Sequence, residues 1–190
     1  ETCSLPGIDL PNEKRRLLSA VQTSSYGYFA GGLNIPPPAV RYNTVSRIDF
    51  SNETGSTPGN NLSQARYGVG SVQTDSYGYF CGGNTLPPAA DYDRVDRIDF
   101  SNETVSEPGN ELSQPKLYAG TSFNDNYGYL AGGLYPPGSA PDYITTVDRI
   151  DFSIETFSLP GNDLSQARGQ LRGVSSSSYG YFGGGSAPPY

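Results

Sequence analysis

The sequence predicts an all-β protein in which a unit of four short strands is repeated along the chain. The composition disfavours helices, because Gly (24), Pro (16) and Tyr (15) are abundant among the 190 residues and are poor helix formers. The apolar segments are short and are bounded by Gly, Pro, Asn or Ser, as is typical of strands joined by turns. The motif Tyr-Gly-Tyr recurs at steps of 51, 50 and 52 residues, starting at Tyr26, Tyr77, Tyr127 and Tyr179.

Two further motifs keep the same period. Arg-Ile-Asp-Phe occurs at 47–50, 97–100 and 149–152, and Pro-Gly occurs at 6–7, 58–59, 108–109 and 160–161. A fixed period of this kind indicates a repeat architecture. We therefore predict that residues 1–190 form a single array of about 3.7 units, divided as 1–52, 53–102, 103–154 and 155–190.

Each unit is predicted to contain four strands, described here for the second unit. They are expected at Arg66 to about Gln73, Tyr77 to about Cys81, Val95 to Phe100, and Glu103 to about Ser106. Each is rich in β-branched or aromatic residues and ends at a turn signal, such as Gly82-Gly83 after the second strand. Four short strands in about 51 residues match the size of one blade of a β-propeller.

The third strand carries a repeated charged pair. Because side chains alternate along a strand, Arg97 and Asp99 share the face opposite Ile98. The pair recurs as Arg47 with Asp49 and as Arg149 with Asp151. We expect each arginine and aspartate to pair with each other or with an adjacent blade. The alternative is a solvated pair at the sheet edge.

The double glycines that follow the second strand also have two interpretations. Gly82-Gly83 and its equivalents could form a tight exit from a crowded strand, or they could let the backbone approach a ligand closely. We expect the tight exit.

This order of features resembles the kelch repeat. The kelch pattern has a basic residue opening the inner strand, an aromatic strand ending in Gly-Gly, an acidic third strand and a short outer strand. Arg66, the 77–83 segment, 95–100 and 103–106 follow that order, although the outer-strand Trp of the family is missing. The resemblance implies a kelch-like β-propeller. The units are also similar to tandem repeats of predicted marine bacterial and phage proteins, which implies a virion or cell-surface role.

The number of blades stays open at this stage, because propellers usually close with 4–8 blades. The chain could be a piece of a six- or seven-bladed ring, could close as four blades with Glu1–Ser4 completing the last, or could join a second chain. We expect the longer ring, in which each blade face is covered by a neighbour.

Composition excludes several classes of chemistry. The chain has no His, which excludes Ser-His-Asp catalysis and His-ligated zinc or copper. Its net charge of −7 disfavours nucleic-acid binding, and no apolar run is long enough for a transmembrane helix. The nearest approach to a calcium loop, Asn124–Asn126, lacks the required Gly. Cys3 and Cys81 are predicted to be small buried hydrophobes. We therefore predict no enzyme activity, no metal and no cofactor.

The candidate binding residues lie in the loops between the second and third strands. These loops, 33–44, 84–94 and 134–146, are Pro-rich and differ from one another, unlike the framework. Variable loops on a regular scaffold commonly carry binding, and Tyr and Arg are favoured at interfaces. The alternative is that the loops are inert. The residues displayed are Arg41, Tyr42, Tyr92, Arg94, Tyr135 and Tyr143.

Three Asn-x-Ser/Thr sequences begin at Asn52, Asn61 and Asn102. They would be glycosylation acceptors in a eukaryotic secretory pathway, and we predict that they are turn residues instead.

Two functional hypotheses follow. The first is a non-enzymatic structural or adhesive propeller of a larger extracellular or virion assembly, such as a phage tail or fibre, with protein partners or a surface glycan. The second is a glycan- or protein-binding module that uses the Tyr- and Pro-rich loop face.

Overall fold

A computed structural model of the chain describes residues 15–34, 39–85, 93–135 and 142–187. Within these ranges all regular structure is β-strand, which confirms the prediction of an all-β fold. The strands are β1 (Ser19–Gln22), β2 (Tyr26–Ala30), β3 (Leu33–Asn34), β4 (Val40–Arg41), β5 (Val45–Asp49), β6 (Thr54–Ser56), β7 (Gly70–Gln73), β8 (Tyr77–Cys81), β9 (Val95–Asp99), β10 (Val105–Ser106), β11 (Gly120–Phe123), β12 (Tyr127–Ala131), β13 (Leu134–Tyr135), β14 (Asp142–Tyr143), β15 (Val147–Asp151), β16 (Thr156–Ser158), β17 (Arg172–Ser175) and β18 (Gly180–Gly183).

The strands form three antiparallel sheets of four strands each. Their orders are β1-β2-β5-β6, β7-β8-β9-β10 and β11-β12-β15-β16. The fourth strand of each sheet lies just beyond the predicted unit boundary, so a unit from here on means one sheet with its loops. Strands β17 and β18 form a two-stranded fourth sheet, and the short pairs β3-β4 and β13-β14 lie in the connections between second and third strands.

The Tyr-Gly-Tyr motifs occupy matching places. In the first three motifs the first Tyr pairs with the Asp of Arg-Ile-Asp-Phe, as Tyr26 with Asp49, Tyr77 with Asp99 and Tyr127 with Asp151. In the fourth motif Tyr181 pairs with Val174 as Tyr28 pairs with Val21. The central glycine is required by sheet packing, because a Cβ atom on Gly78 would lie 2.6 Å from Val21 Cγ2 of the preceding sheet. The motif therefore combines two strand-forming tyrosines with a position where the next sheet approaches closely.

The core lies between successive sheets. Val21, Tyr28, Phe80 and Ile98 are buried in the cluster between the first and second sheets. Between the second and third sheets the buried cluster contains Val72, Tyr79, Leu130 and Ile150. The second sheet is thus covered on both faces, which explains why its strands do not alternate strictly between polar and apolar residues.

Three of the predicted strand ends differ from the structure. The first strand of the second unit begins at Gly70 instead of Arg66, because the Arg66 side chain turns into the interior and Gly68 has a φ of 66°. The third strand ends at Asp99 instead of Phe100. The fourth begins at Val105 because Glu103 has a φ of 59°, which interrupts extended backbone.

The structure shows where the double glycines, the Asn-x-Ser/Thr turns and the cysteines of the sequence lie. The double glycines form tight exits with positive φ, as at Gly31 and Gly32 (68° and 100°). Asn52 and Asn102 accept hydrogen bonds from Thr54 and Thr104 within their turns. Cys81 is a buried free thiol, and Cys3 lies outside the described residues, as does the Glu1–Ser4 segment.

Candidate functional site

The loops that follow the second strands lie on the same side of the molecule as the loops that join successive units. Backbone hydrogen bonds connect the two sets of loops. Leu62 N donates to Asn43 O at 2.8 Å, and Arg66 N donates to Tyr42 O at 3.1 Å. We call this side the loop face, which comprises the described residues of 31–44, 57–69, 82–94, 107–119, 132–146 and 159–171.

Two of the predicted binding residues make cation–π contacts on the loop face. The Arg41 guanidinium carbon lies 5.2 Å from the centroid of the Tyr67 ring. The Arg15 guanidinium carbon lies 5.8 Å from the centroid of the Tyr42 ring. Arg41 and Tyr42 are thus both partly covered. Tyr67, which covers Arg41, precedes strand β7, and Arg15, which covers Tyr42, precedes strand β1.

The other predicted binding residues are distributed among different units. Arg94 forms an ion pair with Glu107 in the following loop. The Tyr143 hydroxyl lies 3.2 Å from Ser186 Oγ in the fourth unit, and Tyr135 is half-buried in β13. Tyr92 lies outside the described residues. The structure therefore does not gather Arg94, Tyr135 and Tyr143 into one site with Arg41 and Tyr42.

A pair of tyrosines that sequence reasoning missed lies beside Arg41. The ring centroids of Tyr67 and Tyr118 are 6.2 Å apart, and the ring planes are inclined by 59°. Burial is the main cause that raises the pKa of the Tyr118 hydroxyl to about 12, and the neighbouring Tyr67 adds to it. Their position in the sequence was the signal that could have found them. Tyr67 lies just after Arg66 and Tyr118 just after Lys116, the buried basic residues that precede strands β7 and β11. We call Arg41, Tyr67 and Tyr118 the aromatic patch.

Backbone hydrogen bonds link the units at this position of the loop face. Gly68 N donates to Leu17 O at 2.8 Å, Tyr118 N donates to Gly68 O at 3.0 Å, and Gln170 N donates to Tyr118 O at 2.9 Å. All four residues have φ between 58° and 66°. The Tyr118 backbone is therefore hydrogen-bonded to both neighbouring units. These bonds fix the direction in which its side chain leaves the backbone, and the ring lies toward Tyr67.

Beneath the loop face, a buried basic residue binds backbone carbonyls at the end of the second strand in the second and third units. Arg66 Nη1 donates to Gly82 O at 2.7 Å, and Arg66 forms an ion pair with Asp96. Lys116 Nζ lies 2.9 Å from Asp148 Oδ2 of the same unit. Burial lowers the pKa of Lys116, and the nearby Asp148 opposes that effect. The sequence predicts Arg66 as the residue that opens an inner strand, and no sequence signal singles out Asp96 or Asp148 as its partner or that of Lys116.

The repeated Arg and Asp of the third strands do not form ion pairs with each other. Arg47 Nη1 lies 2.7 Å from Glu103 Oε1 of the next unit, and Arg97 Nη1 lies 2.8 Å from Glu155 Oε2. The sequence left open whether each arginine pairs with the aspartate on its own strand or with an adjacent blade. The structure shows a partner in the adjacent unit for Arg47 and Arg97. Arg149 contacts the Tyr127 ring and Ser158 and has no carboxylate partner among the described residues.

The aspartates instead stabilise the turn that follows the third strand. The Asp49 carboxylate accepts hydrogen bonds from Ser51 N at 2.8 Å and Ser51 Oγ at 2.6 Å. These hydrogen bonds are the main cause that lowers the pKa of Asp49. Asp99 and Asp151 do the same with Ser101 and Ser153. The expected Arg–Asp pairing fails because a serine two residues later offers two donors to the carboxylate.

Comparison with known proteins shows a likeness at the level of structure. No family model matches the sequence, and no curated protein matches it. The chain is similar to the solved structure titled "Structure of YjhT", with a TM-score of 0.75 and 14% sequence identity, over 92% of this chain. The chain spans 60% of the length of that structure. At this identity the likeness shows a shared fold and carries no activity over.

Of the two arrangements, the aromatic patch can bind and the buried basic residues cannot. Arg66 and Lys116 are closed off from solvent and already have carboxylate partners. Among the described residues, no three His, Cys, Asp or Glu side chains are grouped so that they could hold a metal ion. In the same ranges no helix is long and apolar enough to cross a membrane. The aromatic patch offers ring faces and a guanidinium to a ligand.

Proposed function

We propose that this chain is a non-enzymatic structural scaffold, an array of kelch-like β-propeller blades that belongs to a larger extracellular or virion assembly of the phage tail or fibre type. The observation that carries the proposal is the use of the repeated charged residues. Arg47 and Arg97 each bind a glutamate of the following unit. The most strongly repeated charges of the chain therefore hold one sheet against the next.

The arrangement of these charges supports a scaffold over a catalyst. Catalytic groups have to converge on one substrate, whereas these ion pairs lie apart, one at each of the first two interfaces, and are filled by the protein itself. The buried Arg66–Asp96 and Lys116–Asp148 pairs lie within single units and are likewise filled by the protein itself. The similarity to YjhT supports the fold, and the extracellular or virion setting draws its support from the resemblance of the repeats.

Fractionation of the native source tests the scaffold. We expect an antibody against this chain to detect it in particles or in cell-surface material that sediments in high salt, together with protein partners or further copies. Recovery of the whole protein as a soluble monomer would contradict the proposal. A matched measurement on an abundant cytosolic protein of the same lysate controls for trapping in the pellet.

A second candidate function is binding of a glycan or a protein by the aromatic patch. The specific observation is that Tyr67 and Tyr118 present two inclined rings with the Arg41 guanidinium over one of them. Tyrosine and arginine are enriched at binding hot spots, and ring faces stack on apolar surfaces of sugars and side chains.

A glycan array with the 190-residue chain tests this second function. Saturable binding should fall at least tenfold in Tyr67→Ala and Arg41→Ala, since a hot-spot truncation costs about 2 kcal/mol or more. Tyr181→Ala, on the exposed fourth sheet, is the control and should bind normally. Binding that survives both patch variants would locate the site elsewhere.

A further inference from the structure

Two equivalent sites between the sheets bind a glutamate in the same way. At the first interface the Glu103 carboxylate accepts hydrogen bonds from the Tyr28 hydroxyl at 2.9 Å and from Arg47 Nη1 at 2.7 Å. At the second interface Glu155 accepts from the Tyr79 hydroxyl at 2.7 Å and from Arg97 Nη1 at 2.8 Å. Each glutamate comes from the turn after the third strand of the following unit.

The same turn makes two further contacts. Phe100 stacks on Tyr28, and Phe152 stacks on Tyr79, each with ring centroids 5.5 Å apart. An asparagine of the Pro-Gly-Asn loop also donates to the backbone carbonyl of each glutamate, with N–O distances of 2.9 and 2.8 Å for Asn60–Glu103 and Asn110–Glu155. One sheet thus recognises a Phe-Ser-x-Glu turn through a Tyr, an Arg and an Asn.

The third sheet carries the same three residues without the turn. Tyr129, Arg149 and Asn162 line one cavity of about 500 Å³ beside the fourth sheet. Tyr129 is partly exposed, whereas Tyr28 and Tyr79 have no solvent-accessible surface. No described residue supplies a carboxylate to Arg149, and the ring contact of Tyr129 among the described residues is with Tyr127 of its own strand instead of a stacked phenylalanine. We call Tyr129, Arg149 and Asn162 the open turn site.

An unpaired strand edge lies next to the open turn site. In each complete sheet the second strand pairs with the third on this edge, as β12 does with β15. Strand β18 pairs only with β17 among the described strands. Tyr179, which precedes β18, is 67% exposed, whereas its equivalents Tyr26 and Tyr77 lie under an arginine of the third strand. An extended segment can add to this edge by backbone hydrogen bonds.

We propose that the β18 edge and the open turn site together bind a strand–turn–strand segment of the pattern Arg-Ile-Asp-Phe-Ser-x-Glu-Thr, supplied from outside the described residues. Its arginine would cover Tyr179, its phenylalanine would stack on Tyr129, and its glutamate would bind Tyr129 and Arg149. The proposal rests on the scaffold function, for which this site is the contact point. It is supported by charge complementarity and by continuity with two interfaces that the molecule already contains.

Peptide binding to the 190-residue chain tests the site. The probe is a fluorescein-labelled synthetic peptide with the sequence of residues 95–106, Val-Asp-Arg-Ile-Asp-Phe-Ser-Asn-Glu-Thr-Val-Ser. We expect saturable binding by fluorescence anisotropy. The same peptide with Glu103→Gln should bind at least tenfold more weakly, because a hydrogen bond to a charged group contributes about 1.5–3 kcal/mol.

Variants of the protein locate the site. Arg149→Gln and Tyr129→Phe should each weaken binding of the unchanged peptide, whereas Arg16→Gln, an exposed arginine of the first unit, should not. The Glu103→Gln peptide keeps the test decisive even if a protein variant fails to fold. Equal binding of both peptides, or no binding, would overturn the proposal while leaving the sedimentation test of the scaffold unaffected.

Light scattering distinguishes a whole second copy from a free segment. Phe50 and Glu53 form an exposed turn of the same pattern on the first sheet. Strand β5 before this turn already pairs with β2 and β6, so a second copy can fill the open turn site but not the β18 edge. Self-association that saturating peptide displaces would support the site. Self-association that persists with saturating peptide would show that another surface joins the copies, and a peptide that then fails to bind would overturn the proposal.

Discussion

Two of the largest side chains that lose all or nearly all contact with solvent are cationic. Arg66 and Lys116 lie beneath the loop face, where each binds backbone carbonyls and one carboxylate, Asp96 or Asp148. Desolvation and ion-pair attraction oppose each other in such pairs, so their net contribution to stability is small. Removing one partner of such a pair lowers the stability strongly, because the other partner's charge then stays buried without compensation.

Asp96→Asn is therefore expected to destabilise the chain strongly. The substitution keeps the side-chain shape and removes the charge that compensates Arg66, which costs about 3–5 kcal/mol of unfolding free energy. Urea denaturation followed by circular dichroism measures the loss. Asp75→Asn, at an exposed hairpin turn, is the control and should change stability by less than about 0.5 kcal/mol. Equal stability of the two variants would show that Arg66 is not dependent on Asp96.

Buried tyrosines make stability depend on alkaline pH. Burial, and for two of them a bond to a glutamate, raises the pKa of Tyr28, Tyr79 and Tyr118 above the ordinary value of 10.0, and burial raises that of Cys81 above 9.0. The unfolded chain therefore loses these protons at lower pH than the folded chain. The stability from these groups is complete below their unfolded pKa values and is lost as pH rises through the folded values.

We accordingly expect the urea midpoint to fall as pH rises from about 9 to about 12. Burial lowers the pKa values of Lys116 and Arg66, which acts in the opposite direction, but these are two groups against four. Absorbance of tyrosinate at 295 nm should show a late-titrating fraction, which Tyr79→Phe should reduce. A constant midpoint between pH 8 and 11 would contradict the buried positions of these hydroxyls.

At the scale of the element, the double-glycine exit is the feature that most restricts sequence. Gly132 has a φ of 61°, and a Cβ atom there would lie 2.5 Å from Arg168 O of the next unit. The turn therefore needs both the left-handed conformation and the absence of a side chain. Because no side chain intervenes, the backbone of Arg168, the basic residue of the next unit, packs directly against the exit.

Gly132→Ala should lower the free energy of unfolding by about 1–3 kcal/mol from backbone strain, and the contact with Arg168 O adds to that loss. The matched control is Gly183→Ala in β18, where a Cβ atom would meet no other atom within 4 Å. Thermal unfolding of both variants measures the difference. Similar melting temperatures would mean that the exit can relax without cost.

At the scale of the whole molecule, the described units differ in how well they are covered. The second sheet is packed on both faces, whereas Val174 and Tyr181 of the fourth sheet are 68% and 58% exposed. In an array each unit depends on its neighbours for burial, so stability falls toward a unit with a single neighbour.

Hydrogen exchange should report this gradient. Amides of β8 and β9 are expected to exchange slowest, and those of β17 and β18 are expected to exchange at least tenfold faster. Mass spectrometry of peptic fragments after timed labelling measures the rates. Uniform protection across the four units would instead indicate a single cooperative block. Addition of the 95–106 peptide should slow exchange in β18 if the open turn site binds it.

The sequence by itself determined the all-β class, the period and the matching places of the four Tyr-Gly-Tyr motifs, because strand composition and turn residues act locally along the chain. It could not determine which partner each charge would find. Arg47 binds Glu103, and these two residues become neighbours only when one sheet packs on the next. Arg66 binds Asp96 within one unit, and this pair forms only when the strands of that unit come together. Tyr67 and Tyr118, 51 residues apart, likewise form the aromatic patch only through contact between units. Long-range pairing depends on packing between repeats, so the tertiary structure alone decided it.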